Sequence, residues 1–209
     1  MKYIDVKRSI DLLCSFFAII FSGPIILFSA LLIWFEDPSD TPFLKQDRIG
    51  FHENPFTLLK LRTMTSERFR DGRKLTDSER MLRTGRLFRK FSIDELPQLV
   101  NLIRGEMSFI GPRPMPVVYL PYFTPQERVR HQIRPGMSGL AQVNGRNFLS
   151  WEEKFAFDVK YVENISLSLD LIILFKTLFR LAFPFDVGVR GENFTLTSLN
   201  EERKPYPPQ

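Results

Sequence analysis

Residues 12–35 carry no charged side chain. As one straight helix this stretch is about 36 Å long, enough to cross a bilayer. A cleaved signal peptide fits poorly, because the run is too long and no small-residue cleavage site follows it. Three arrangements remain: a spanning helix, a re-entrant helix that turns back, or a buried core helix. Lys2, Lys7 and Arg8 precede the run, and flanking positive charge keeps the N-terminus in the cytosol. Ser22-Gly23-Pro24 lies at its centre. Proline there removes one helical hydrogen bond and crowds the preceding turn. Glycine eases a sharp bend, and Ser22 is placed to satisfy a freed backbone group. The same proline is compatible with a kink in a spanning helix, so the choice turns on the rest of the chain.

That remainder is organised around Ser92-Ile93-Asp94-Glu95-Leu96-Pro97-Gln98, with Arg86, Arg89 and Lys90 just before it. Ser92 and Glu95 have the spacing of a capping box. This predicts a helix start with Asp94 at about its second position, where Pro97 is still tolerated. The helix dipole favours a negative charge there by roughly 0.3–1 kcal/mol. A carboxylate kept ionised in that place can serve as a nucleophile or a metal ligand. The bland alternative is that Glu95 only caps and Asp94 is an ordinary helix-start acid.

The formal net charge is +5, which suits a phosphate-rich substrate, an anionic membrane surface or nucleic acid. No basic-aromatic arrangement matches a nucleic-acid motif, so that class ranks last. The single Cys14 excludes an internal disulfide, and His52 and His131 lie too far apart to suggest zinc.

Residues 36–42 read as a boundary, and residues 43–64 as a β-hairpin turning at His52-Glu53-Asn54-Pro55. Residues 66–75 read as a polar loop. Thr76 and Glu79 form a second capping box, which predicts a helix to about Lys90 with Arg80, Arg83, Arg86 and Arg89 along one side. The Asp94 helix is expected to end at Gly105. Pro112 and Pro114 restrict where Arg113 can point, and a guanidinium held this way suits bidentate phosphate binding. Residues 124–132 read as a short polar helix. The loop from Ile133 to Asn147, rich in Gly, Asn and Arg, is a candidate nucleotide cradle. Residues 151–164 form a predicted helix. Residues 168–183 are apolar apart from Asp170, Lys176 and Arg180, so they lie either at a membrane interface or in the core. The expected organisation is a membrane helix over residues 1–37, a catalytic domain over 38–185 and an irregular tail over 186–209.

Taken together, these pieces resemble the monotopic phosphoglycosyl transferases, the bacterial polyprenyl-phosphate sugar-phosphate transferases, in their minimal form. The resemblance runs from Lys7 to about Leu181. It rests on Lys60-Leu61-Arg62-Thr63-Met64, the Ser92–Gln98 stretch, Gly105-Glu106-Met107-Ser108 through Gly111-Pro112-Arg113-Pro114, Arg134-Pro135-Gly136-Met137-Ser138-Gly139, and Ala141-Gln142-Val143-Asn144-Gly145-Arg146. Gly23, Leu61 and Glu106 depart from common family residues. The resemblance implies an α+β fold, mostly helical with a small β-hairpin, and a monotopic membrane protein whose N-terminal helix breaks at Pro24 and re-enters the leaflet. It also implies that Asp94, paired with Glu95, attacks the β-phosphate of a UDP-sugar and releases UMP. Polyprenyl phosphate then takes the phosphosugar from the aspartyl intermediate. Mg2+ assists, with Asp94 as its protein ligand, and Lys60, Arg89, Arg113 and Arg146 bind phosphate or nucleotide. Such chemistry needs the cytosol, which favours the re-entrant arrangement on the cytosolic face of the bacterial inner membrane, among membrane lipids. The sequence leaves a homodimer open, and also the sugar and the pathway (capsule, O-antigen or glycoprotein). Three rival functions are a sugar-only transferase releasing UDP, a non-enzymatic scaffold for glycan-assembly enzymes, and a basic protein bound to anionic lipid. The catalytic constellation argues against each.

Overall fold

The computed structural model describes residues 3–145, 148–182 and 198–206. Its first element is the helix α1, Tyr3–Glu36, with Pro24 inside it. The break expected at Ser22-Gly23-Pro24 does not interrupt the helix, and Ser22 Oγ is buried without a hydrogen-bond partner rather than bonded to a freed backbone group. At about 1.5 Å per residue the helix is roughly 51 Å long.

One stripe of α1 docks on the rest of the chain along its whole length. Near its start, Tyr3 and Lys7 donate to Asp170, and Asp11 accepts from Ser108 Oγ (2.7 Å) and Phe109 N–H (3.2 Å). In the middle, Ala18 and Ile19 pack near Leu58, Leu99 and Leu102. Further on, Ile26, Ala30 and Ile33 join Leu61, Leu82 and Phe88 in one apolar cluster. At its end, Glu36 accepts from the backbone N–H of Arg83 and Thr84. The opposite stripe, including Leu13, Phe16, Phe21, Leu27, Phe28 and Phe35, is exposed and apolar.

The predicted hairpin is present: β1 (Phe43–Ile49) pairs antiparallel with β2 (Pro55–Leu61), in register from Phe43 opposite Leu61 to Ile49 opposite Pro55. The expected polar loop instead holds a two-residue hairpin, β3 (Phe69–Arg70) with β4 (Arg73–Lys74). Asp71 and Gly72 turn it with positive φ.

The Thr76–Glu79 capping box forms as predicted, but its helix α2 is only Asp77–Arg80. Met81 and Leu82 are extended, and Leu82 N–H bonds Thr63 O (3.1 Å), so the strand side captures the chain. Helix α3 then runs over Arg83–Lys90. Its N-terminus has no side-chain cap of its own; the Glu36 carboxylate supplies one from α1. Arg80 therefore does not share a helix face with Arg89: Arg80 donates to the carbonyls of Thr65 and Glu67, and Arg89 to Thr63.

Helix α4 is Gln98–Arg104, and Gly105 ends it in the left-handed region (φ 83°), as predicted. Asn101 is fully buried and bonds the free edge of β2: Oδ1 accepts from Leu59 N–H (3.1 Å) and Nδ2 donates to Thr57 O (2.8 Å). Strand β5 (Ser108–Ile110) pairs parallel with β6 (Gly136–Ser138). The predicted polar helix is the 3-10 segment Glu127–Gln132. Helix α5 (Leu140–Asn144) is followed by α6 (Trp151–Glu163), capped by Ser150, and α7 (Leu167–Ala182). On α7, Asp170 and Ile173 face inward while Leu171, Ile172, Phe175 and Leu178 are exposed, so this helix is not a core helix. Within the predicted tail, α8 (Leu199–Glu202) is ordered against Trp151 and Phe155 through the fully buried Leu199.

Candidate active site

The Ser92–Glu95 capping box does not form. Ser92 sits in the left-handed region (φ 55°) with no side-chain cap bond, and Ile93–Glu95 is a 3-10 turn ahead of α4. The Glu95 carboxylate turns away from the helix start to two cations: Lys60 Nζ (2.7 Å) and Arg113 Nη2 (2.8 Å) both donate to its Oε1. Here both donor and acceptor carry charge, and two cations converge on one carboxylate, whereas a capping bond would pair it with a neutral backbone N–H. Burial alone would raise the Glu95 carboxyl; Lys60 and Arg113 outweigh it and hold the group well below the usual range. Glu95 is thus an ionised clamp between the two cations.

Asp94 occupies the centre. It is buried, yet among the described residues it has no hydrogen-bond or ion-pair partner. Burial pushes its carboxyl above the ordinary value, Lys60 pulls it down, Glu95 pushes it up, and Arg89 and Arg113 pull it down. The net shift is upward: desolvation is the largest cause, and Lys60, Arg89 and Arg113 offset part of it. The result is a poorly solvated carboxylate with positive charge on several sides, suited to meeting an anionic phosphate.

Each cation arrives on a braced element. Lys60 is on β2, next to the Leu59 amide held by Asn101. Arg89 is on α3, and its Nε donates to Thr63 Oγ1 (2.9 Å). Helix α3 approaches Thr63 so closely that a Cβ on Gly85 would lie 2.1 Å from Thr63 O. Arg113 follows β5 on a segment fixed by backbone bonds from Gly111 N–H to Ser138 O, Gly136 N–H to Pro112 O and Ile49 N–H to Met115 O, each 2.9 Å.

The glycines of the expected nucleotide cradle serve this bracing. A Cβ on Gly136 would lie 2.1 Å from Gly111 N, and one on Gly139 2.1 Å from Gly111 O. At Gly136 and Gly139 the absence of a Cβ allows this backbone to touch that of Gly111, two residues before Arg113. Arg146 lies outside the described residues, and Ser22, Gly23 and Pro24 lie on α1, with no contact to the Asp94 cluster among the bonds and packing described.

For a metal, the donors fit magnesium. Asp94 offers an unbonded buried carboxylate beside Glu95, and Mg2+ typically binds through one or two carboxylates plus substrate phosphates and water. No cluster of three or more His, Cys, Asp and Glu side chains occurs among the described residues. Asp94 would then be the residue to hold it, with Glu95 as its neighbour.

Sequence reasoning missed four residues that serve this site. Thr63 receives Arg89, and Asn101 pins the Lys60 strand. Arg130 donates to Arg113 O, and Asp158 receives Arg130. Asp158 was open to detection: it shares the buried face of α6 with Trp151 and Phe155, where a lone carboxylate demands a partner.

The sequence that builds this site matches a known family. The model of the bacterial sugar transferase family covers residues 2–184, so the chain belongs to that family. It is 49% identical over 173 residues to the uncharacterized sugar transferase EpsL of Bacillus subtilis, spanning 83% of this chain and 85% of that protein. It is 37% identical over 184 residues to the UDP-glucose:undecaprenyl-phosphate glucose-1-phosphate transferase of Caulobacter vibrioides, spanning 82% of this chain and 68% of that one. It is also 37% identical over 184 residues to the UDP-N-acetylgalactosamine-undecaprenyl-phosphate N-acetylgalactosaminephosphotransferase of Aeromonas hydrophila, spanning 84% of this chain and 43% of that one. The chain is a transferase.

Proposed function

We propose that this enzyme moves a sugar-1-phosphate from a UDP-sugar to undecaprenyl (polyprenyl) phosphate and releases UMP, as the first membrane step of a glycoconjugate pathway. The observation that carries the reading is the Asp94 carboxylate, buried and without a hydrogen-bond partner among the described residues, on which Lys60, Arg89 and Arg113 all act electrostatically. In the first step an Asp94 oxygen bonds to the β-phosphorus of the donor. The bond from that phosphorus to the bridging oxygen breaks, and the oxygen leaves with UMP. In the second step a phosphate oxygen of the polyprenyl phosphate bonds to the same phosphorus, and the Asp94 carboxylate is released. Neither step needs a proton. Lys60 and Arg113 offset charge on the phosphates, and Glu95 holds the two cations at a fixed separation. Bound Mg2+ supplies further charge neutralisation on the donor phosphates.

The enzyme is monotopic on the cytosolic face of the inner membrane in this reading. Support comes from α1, which is apolar and long enough to cross a membrane yet touches the same domain from Tyr3 to Glu36. A perpendicular span would pull that domain into the hydrocarbon. A monotopic seat, with the exposed stripe of α1 and the exposed face of α7 turned to lipid and the unbroken helix lying along the leaflet rather than turning back at Pro24, satisfies both facts.

The test is nucleotide release. Detergent-purified protein receives Mg2+, undecaprenyl phosphate and a panel of UDP-sugars that includes UDP-glucose and UDP-N-acetylgalactosamine. UMP that disappears in a folded Asp94→Asn variant is expected. UDP as the product, or full activity in Asp94→Asn, refutes the mechanism.

A further inference from the structure

Arg130 and Asp158 form a fully buried ion pair, with side-chain exposures of 1% and 2%. Arg130 Nε (3.1 Å) and Nη2 (2.7 Å) both donate to Asp158 Oδ2. The guanidinium lies over the rings of both Phe123 and Phe155, 5.3 and 5.4 Å from their centroids. Asp158 Oδ1 is buried without a hydrogen-bond partner, so the pair is not fully compensated.

A buried pair of this kind is a poor source of stability, because desolvation consumes most of its Coulomb gain and apolar replacements are often neutral or stabilising. Arg130 does one thing that an apolar side chain cannot. Its Nη2 also donates to the backbone O of Arg113 (2.7 Å). Arg113 is the more exposed of the two cations on Glu95, and its peptide is flanked by Pro112 and Pro114, neither of which has an N–H to offer.

We propose that Arg130 and Asp158 are positioning residues for Arg113. Asp158 orients the guanidinium, the guanidinium holds the Arg113 carbonyl, and the carbonyl fixes the direction in which the Arg113 side chain leaves the backbone. The proposal rests on the reading of Arg113 as a ligand of the donor diphosphate.

The test is a cycle on nucleotide affinity, read by titration calorimetry with UDP in detergent, alongside kcat/KM for the UDP-sugar that gives most UMP. The double variant Arg130→Met/Asp158→Leu removes the pair at similar volume. It is expected to keep its melting temperature and to weaken UDP binding about 10-fold, with Arg113→Ala weakening it at least as much. Combined with Arg113→Ala, the double change is expected to add nothing. Arg130→Lys keeps the charge opposite Asp158 but loses the planar fork, and is expected to lie between wild type and the double variant. It carries the same cycle if the apolar pair does not fold. A full additional loss in the Arg113→Ala background, or unchanged UDP affinity in folded Arg130 variants, overturns the proposal. Unchanged affinity in Arg113→Ala alone overturns the reading of Arg113, and the proposal with it.

Discussion

Asn101→Ala is the substitution whose cost can be worked most directly from the structure. The Asn101 amide treats β2 as a neighbouring strand would, accepting from Leu59 N–H and donating to Thr57 O. Its Nδ2 also donates to Glu106 Oε2 (2.7 Å). Alanine leaves two partly buried backbone groups without partners; full burial would cost about 1–3 kcal/mol each, so the expected loss is at most about 2–6 kcal/mol. That is a large share of a typical total of about 5–15 kcal/mol. For a chain of this size it corresponds to a melting temperature lowered by roughly 6–12 °C at about 3 kcal/mol. The assay is a thermal melt of wild type and variant in the same detergent. Lys60 follows Leu59, so kcat/KM for UMP release is expected to fall at temperatures where the variant is still folded. Asn101→Asp sharpens the test: it can still accept from Leu59 N–H but, when ionised, opposes Thr57 O and Glu106. Its deficit is expected to shrink as pH falls and the new carboxyl becomes a donor. A melting temperature within about 2 °C of wild type for Asn101→Ala would refute the claim that this amide pins the Lys60 strand.

Three further outcomes are expected. His131 is buried with both ring nitrogens unbonded, and burial, followed by Arg130 and Arg128, lowers its pKa to about 3. The 3.5 Å approach of Nδ1 to Glu53 is therefore not an ion pair at neutral pH. Below about 6.5 the unfolded chain takes up this proton and the native state does not, so stability falls by about 1.4 kcal/mol per pH unit down to about pH 3. In melts from pH 7 to pH 5, His131→Phe should show a shallower decline than wild type; parallel curves would contradict this. Gly136→Ala places a Cβ against Gly111 N and Ser138 O, both backbone atoms that cannot swing away. It should cost at least about 1–3 kcal/mol and raise KM for the donor by displacing the Arg113 segment, which melts and steady-state kinetics will check. Phe175→Glu with Leu178→Glu on the exposed face of α7 should leave the melting temperature unchanged. It should reduce flotation with anionic vesicles by at least about 10-fold, since each lost apolar side chain is worth about 1.5–3 kcal/mol; equal flotation would remove α7 from the membrane surface.

The elements written in local pattern were legible in the sequence. The β1–β2 hairpin, the Gly105 stop, the Ser150-capped α6 and the span of α7 follow from alternation, turn residues and caps. What failed were local rules overruled by distant partners. Ser92 and Glu95 have capping-box spacing, but Lys60 and Arg113, 35 and 18 residues away, claim the carboxylate. The helix predicted from Thr76 to Lys90 is split because Leu82 N–H finds Thr63 O. The Asp94, Glu95, Lys60 and Arg113 cluster was visible as motifs. Its supports were not: Asn101, Thr63 and Arg130 act through one or two bonds each, across 17 to 44 residues of chain, which no periodicity records.

The most consequential of these distant partnerships involve α1. A helix whose only task is to sit in lipid needs an apolar surface all round. This one instead places Tyr3, Lys7, Asp11 and Glu36 on the stripe that meets the domain, and spends two carboxylates on capping that domain's backbone. Asp11 serves Phe109 N–H at β5, four residues before Arg113, and Glu36 serves the first amides of α3, the helix that carries Arg89. Between them, Ile26, Ala30 and Ile33 share a core with Leu61, the residue after Lys60, and with Ile93, the residue before Asp94. Every element that brings a cation or the carboxylate to the proposed site therefore packs on α1. Helix α1 and the site form one packed unit, so on the proposed monotopic reading the depth of α1 in the leaflet would set the height of Asp94. On that reading a lipid-borne phosphate and the aspartate would meet at a fixed level without a hinge between them.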